Sequence, residues 1–210
     1  SIRGLLAEYG IVIGLGVRCL RHRLPEILED AETRLQADFR ILLMGLRDDL
    51  VYLDERIKTE DKAIEALART HPSARRLQQL RGVGPLVATA LIAALGDGRQ
   101  FTHGRQASAW AGLVPGQHSS GGKQTLLGIS KRGDTYLRTL LIHGARAALR
   151  AARDKTDPLS LWLQGLCARR NKNVAAVALA NKTMRLAWVL LRREEDYDPL
   201  HGHATPPEPA

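Results

Sequence analysis

From Phe39 to Ala68 apolar side chains return every seven residues at Leu43, Leu50, Ile57 and Ile64, and Leu46, Leu53 and Leu67 fall three places after them. These are the a and d positions of a heptad, broken once at Glu60, and the pattern suits only an α-helix that lies against another helix. The positions between them carry charges of both signs (Arg47, Asp48, Asp49, Asp54, Glu55, Arg56, Lys58), as a solvated helix face requires. The spacing predicts one helix of about 30 residues, about 45 Å long at 1.5 Å per residue, ended by His71 and Pro72. Two partners remain open for it: a second helix of the same chain, folded back as a hairpin, or the same helix of another subunit.

The rest of the chain is predicted to be helical as well. Ser1 to Gly16 is apolar with glycines at 10, 14 and 16, which predicts a short helix running into a loop. A helix follows from about Val17, interrupted near Pro25 because proline lacks the N–H that the helix needs. Apolar residues recur at helical spacing over Ser73–Leu95, Arg105–Leu113, Asp134–Ala152, Pro158–Cys167 and Val174–Leu191, and no segment alternates as a half-buried strand would. The expected fold is all-α: a helical, coiled-coil-like region over 1–72, a compact helical domain over 73–197, and a disordered proline-rich tail over 198–210. The chain opens at Ser1 inside a helical pattern, without Met, and reads as part of a longer protein.

Charge is distributed unevenly along this scaffold. The 31 Lys and Arg residues exceed the 22 Asp and Glu by nine overall, yet residues 1–80 are neutral, residues 81–193 carry +14 and residues 194–210 carry −5. A surplus confined to one segment makes a local positive field, whose commonest partner is a polyanion. Cys19 and Cys167 lie far apart, with no CxxC and no paired His spacing, which argues against a disulfide framework and a zinc site and for a reducing compartment. No uninterrupted apolar run approaches the roughly 20 residues of a membrane span, and no signal peptide is evident. These features predict a soluble cytoplasmic chain without membrane contact.

Three motifs carry chemistry. In LQQLRGVGPLVATAL, residues 77–91, Gly82 and Gly84 flank a tight turn and Pro85 suits the first turn of the next helix. This reads either as an ordinary interhelical turn or as a helix-hairpin-helix, in which Arg81, Gly82, Gly84 and the following helix N-terminus hold a DNA phosphate without reading sequence. Residues 112–133, GLVPGQHSSGGKQTLLGISKRG, are rich in glycine and serine, contain His118, Lys123, Lys131 and Arg132, and lack Asp and Glu. A Walker loop is excluded by spacing. Between Gly98 and Arg153 the one carboxylate is Asp134, too few for two-metal nuclease chemistry. A nucleophile in this half would therefore be a hydroxyl, Ser119 or Ser120, although serines in such loops also serve simply as turn formers. Further on, Arg138 shares a helix with Arg146, Arg150 and Arg153, the last three spaced i, i+4, i+7; Asn181, Arg185 and Trp188 repeat that spacing with Lys182 beside them, and such stripes can track a sugar–phosphate backbone. Trp110, Trp162 and Trp188 read as core packing.

The runs LRGVGPLVATALIAALGDGRQF, GRQASAWAGLVPGQHSSGGK, LGISKRGDTYLRTLLIHGARA and NKNVAAVALANKTMRLAWVLL resemble the C-terminal half of transposases of the IS-one-ten family, in particular its IS-eleven-eleven branch. The resemblance covers about Leu77 to Tyr197, and SSGGK followed by GISKRGD is its specific part. It implies a DNA recombinase that moves a mobile element, guided by a structured RNA; a homo-oligomer, dimer or tetramer, is expected separately. It implies further that an N-terminal RuvC-like domain, absent from this sequence, holds Mg²⁺ on acidic residues. The present chain would contribute no metal ligand or cofactor. It would supply the serine before the glycine pair, Ser120, with Ser119 as its neighbour, to attack a DNA phosphodiester. Two function classes follow: an enzyme half supplying Ser120 to a composite site, or a non-catalytic DNA-binding module built on the hairpin. RNA binding through the same basic surface is a weaker third, because few aromatic residues are available to stack bases.

Overall fold

The computed structural model describes residues 1–33, 35–118 and 125–199. Among them are helices α1 (Ile2–Ala7), α2 (Val17–Glu29), α3 (Ala37–Thr70), α4 (Pro72–Leu77), α5 (Pro85–Leu95), α6 (Gly104–Trp110), α7 (Thr135–Ala151), α8 (Pro158–Arg169) and α9 (Lys172–Arg193). A short antiparallel ribbon, β1 (Pro115–Gln117) and β2 (Leu126–Ile129), lies between α6 and α7. The all-α class is as expected. The ribbon forms inside the turn-rich stretch, and its strands of 3 and 4 residues are too short to show alternation in the sequence. Packing divides the chain into two units, Ser1–Lys62 and Ala63–Ala210, so the division falls within α3.

In the first unit Leu6, Ile13, Leu24, Ile27, Leu35 and Leu43 are buried together, and Tyr9 stacks on Phe39 at 4.4 Å between ring centroids. Arg40 fastens the α2–α3 connection, donating to the carbonyls of Leu28 and Asp30 at 2.7 Å each. The expected interruption at Pro25 does not occur: α2 runs unbroken from Val17 to Glu29. An interior proline costs about 3 kcal/mol. Leu24 and Ile27 are both buried, and each contributes about 1.5–3 kcal/mol, enough to hold the helix through the lost hydrogen bond. The heptad helix forms, and many of its heptad positions remain in solvent: Leu53 is 51%, Ile57 58% and Leu67 52% exposed.

The second unit is built around α9. Ala175, Ala176, Ala180 and Ala187 let neighbouring helices approach closely, while Leu179, Met184, Leu190 and Leu191 fill the space between them. By length and composition α9 could cross a membrane, but half of its apolar window is buried against other helices, and Asn181, Lys182 and Arg185 interrupt its surface. Helix α6 sits on α9 through small residues: a Cβ on Gly104 would come within 3.0 Å of the Arg185 carbonyl oxygen, and Ser108 donates to the Asn181 carbonyl at 3.3 Å. Asn181 in turn donates through Nδ2 to the Leu113 carbonyl at 3.0 Å, fixing where the ribbon leaves the core.

Candidate nucleic-acid interface

The Gly/Ser-rich stretch is held firmly at its foot. Lys131 N–H donates to the Gly112 carbonyl, Ser130 N–H to Val114 and His118 N–H to Thr125, at 3.2, 2.9 and 3.0 Å. Two backbone crossings require glycine: Gly112 and Gly133 have φ of +69° and +87°, and a Cβ there would lie 2.0 Å from the Arg132 carbonyl oxygen and 1.8 Å from that of Trp110. Gly133→Ala should therefore cost about 3 kcal/mol or more, read as a melting temperature lowered by about 6–12 °C. Arg138 completes the clamp. Its buried guanidinium donates to the carbonyls of Ala111 and Arg132 and to Thr135 Oγ1, at 3.2, 3.4 and 3.0 Å. The guanidinium expected on a phosphate is therefore buried and engaged within the protein through Nη1 and Nη2. Lys131 and Arg132 stay exposed beside the ribbon. Ser119, Ser120 and Lys123 lie outside the described residues.

The α4–α5 turn is likewise partly consumed by the fold. Gly82, at φ +86°, crosses Gly144 of α7 so closely that a Cβ on either would meet the other's carbonyl oxygen, at 2.5 and 2.0 Å. The freedom at Gly82 serves helix packing. Arg81 also turns inward, donating to Ser160 Oγ at 2.5 Å and pairing with Asp157 at 3.1 Å. Asp157 caps α8 by accepting from the Ser160 N–H and hydroxyl at 3.1 and 2.6 Å. The Ser160 hydroxyl above all, then Arg81, holds the Asp157 carboxyl down at about 2 against the opposing effect of burial. Its contribution to stability is complete above the ordinary value of 3.8 and is lost as pH falls toward 2. Gly84, by contrast, has open space around it and precedes α5 without a side-chain cap.

The remaining expected cations gather in two clefts of the second unit. Arg146 and Arg150 of α7, with Arg153 from the turn that follows the helix rather than from the helix itself, face Lys172 and Asn173 of α9 across a cleft of about 330 Å³, with Cys167 on its wall. Arg146 donates to Asn173 Oδ1 at 3.2 Å. Lys182 and Arg185 face His103 and Arg105 across a wider cleft of about 650 Å³, with Trp162 as one wall. Neither lining contains an Asp or Glu. Arg105, Lys172 and the cleft-facing role of Trp162 escape the sequence reading, because only tertiary packing brings them to these stripes: α7 on α9 for Lys172, and α6 and α8 on α9 for Arg105 and Trp162.

The carboxylates nearby are structural. Asp134 caps α7, accepting from Leu137 N–H at 2.9 Å, and Asp157 caps α8. Among the described residues no three His, Cys, Asp or Glu side chains gather where they could hold a metal ion. They do not fit the Mg²⁺ site that the resemblance implies for the whole protein.

Residues 74–158 match the model of the transposase IS116/IS110/IS902 family. The chain is 50% identical over 200 residues to a probable family 20 transposase of Pseudomonas aeruginosa, covering 95% of this chain and 59% of that protein. It is 47% identical over 197 residues to the transposase of insertion sequence IS1111A of Coxiella burnetii, covering 94% and 54%. With the IS1328 transposase of Yersinia enterocolitica the identity is 37% over 190 residues, covering 90% and 56%. The chain thus spans somewhat more than half the length of these relatives.

Proposed function

The chain carries the transposase domain of the IS116/IS110/IS902 family, and on that premise we propose that its second unit holds DNA by the phosphates while Ser120 attacks one of them. The observation that carries the binding half is the pair of acid-free cationic clefts. A region of net charge +14 keeps Arg146, Arg150, Arg153, Lys172, Lys182 and Arg185 at the surface rather than pairing them with carboxylates. The uncapped start of α5 at Gly84 adds backbone donors of the helix-hairpin-helix kind.

The chemical half rests on family resemblance and on the foot of the ribbon. Ser120 Oγ attacks the phosphorus, its proton passes to a base, and the bond to one deoxyribose oxygen breaks, leaving a phosphoserine and a free hydroxyl. Attack by another strand's hydroxyl reverses the step and completes the exchange. His118, adjacent to the serine pair in sequence, is the base this chain offers. Lys131 and Arg132 stabilise the charge that develops on the phosphate. In the whole protein the reaction would be guided by a structured RNA and supported by Mg²⁺ on acidic residues of a RuvC-like domain.

Salt titration tests the binding half. A duplex engaging about six phosphates should lose about 10³-fold in affinity between 50 and 200 mM salt. Replacing Arg146, Arg150 and Arg153 by alanine should flatten the log–log slope by about 2.7, at about 0.9 per neutralised phosphate. An unchanged slope would remove that cleft from the interface.

A further inference from the structure

The wider cleft differs from a phosphate track in having an aromatic wall. Trp162 of α8 is half-buried, and its outer face is covered by the Lys182 ammonium, 5.0 Å from the ring centroid. Around it stand Arg185 from the next turn of α9 and His103 and Arg105 from the opposite side. Lys182 makes no ion pair among the described residues, so it covers the indole without being anchored there. Asn181 is already committed to Leu113 and fixes the floor.

A duplex presents its phosphates on a convex ridge with the bases stacked inside, and so has no group to place against a recessed indole. An unpaired nucleotide has both a flat π-face and a phosphate. A cleft of about 650 Å³ lies within the range of small-molecule sites, about 300–1,000 Å³. Resting on the nucleic-acid reading above and deepening it, we propose that this cleft takes one unpaired nucleotide. Its base stacks on Trp162 in place of the Lys182 ammonium, and its phosphate is held between Lys182, Arg185 and Arg105. The lysine then moves from a cation–π contact to a phosphate contact, and its charge stays paired with something in both states. A strand opened for exchange supplies such a nucleotide, and so does a looped RNA.

The test measures binding of the whole chain to three probes: a 12-nucleotide oligothymidylate, a 12-nucleotide oligouridylate and a 20-base-pair blunt duplex. Trp162→Ala should weaken single-strand binding roughly ten-fold, within the roughly 5- to 150-fold expected when one stacking aromatic is lost. Duplex affinity should stay within about two-fold, and Trp162→Phe should restore most of the loss, because a phenyl ring still stacks. Tryptophan emission should be quenched by the single strands in the parent and much less in Trp162→Phe. Tighter binding of the deoxy or the ribo probe identifies the source of the nucleotide. Equal losses on strand and duplex would mark Trp162 as a packing residue and overturn the proposal, as would no loss on either. If the parent bound none of the probes, the nucleic-acid reading itself would fall. Duplex binding without strand binding would overturn only this site.

Discussion

Ser120→Ala is expected to abolish the covalent protein–DNA adduct when the whole transposase is supplied with guide RNA and donor DNA, while DNA binding stays within about two-fold of the parent. The substitution removes the one atom that forms the new bond, so the loss on a denaturing gel should be complete rather than graded. It removes no charge, and phosphate contacts dominate affinity, so retention on a native gel should persist. Ser119→Ala should leave the adduct in place, because the resemblance puts the nucleophile next to Gly121 and Gly122. His118→Ala should slow adduct formation by about 10²–10⁴-fold if the imidazole is the base, and its effect should be reduced above neutral pH, where hydroxide can substitute. An adduct surviving in Ser120→Ala would move the nucleophile to Ser119. If the parent protein formed no adduct under these conditions, the chain would be a DNA-holding module only.

What a sequence of this kind makes legible is what its local periodicity fixes. Helix α9 and the heptads of α3 were legible because a periodic apolar face is a local property, repeated often enough to outweigh exceptions. Pro25 was misleading because the term that overrides it, the burial of Leu24 and Ile27, is tertiary. Arg81 and Arg138 show the corresponding limit for charges. Each lies in a basic segment beside a glycine-rich turn, and the sequence does not show that Asp157, 76 positions away, meets one of them. Nor does it show that the other is buried under the carbonyls of Ala111 and Arg132. The turn at Gly82 reads in the sequence either as an ordinary interhelical turn or as a phosphate-holding hairpin, and its close crossing with Gly144 is a long-range pair of backbones that nothing local announces. Helical spacing alone puts Arg146 and Arg150 on one face of α7, and Lys182 and Arg185 on one face of α9, whatever those faces meet.

If α3 pairs between subunits, Leu50→Asp together with Leu53→Asp is expected to give monomers in sedimentation measurements. The first unit covers the heptad stripe only in part: Leu43 is buried with Leu24 and Ile27 of α2 and Arg21 of α2 pairs with Asp54, while Leu53 and Ile57 stand 51% and 58% exposed. Neither Leu50 nor Leu53 belongs to the buried cluster around Leu24 and Leu43, so the double substitution leaves the core of that unit intact and its helical signal unchanged. The occupant we propose is the same helix of a second copy, since the stripe is flanked by both signs of charge (Arg47, Asp48, Asp49, Asp54, Glu55, Arg56, Lys58) and two copies can meet without opposing rows of like charge. Two copies lose four leucines at the seam, each already about half covered or more in the single chain and so contributing at most about half of the roughly 1.5–3 kcal/mol of full burial, and gain four carboxylates there. Together these should raise the dissociation constant by roughly 10²-fold or more. Leu50→Ile with Leu53→Ile should keep the assembly, because the volume and apolar surface are preserved. A parent chain that sediments as a monomer at micromolar concentration would show that the stripe is covered by something other than a second copy.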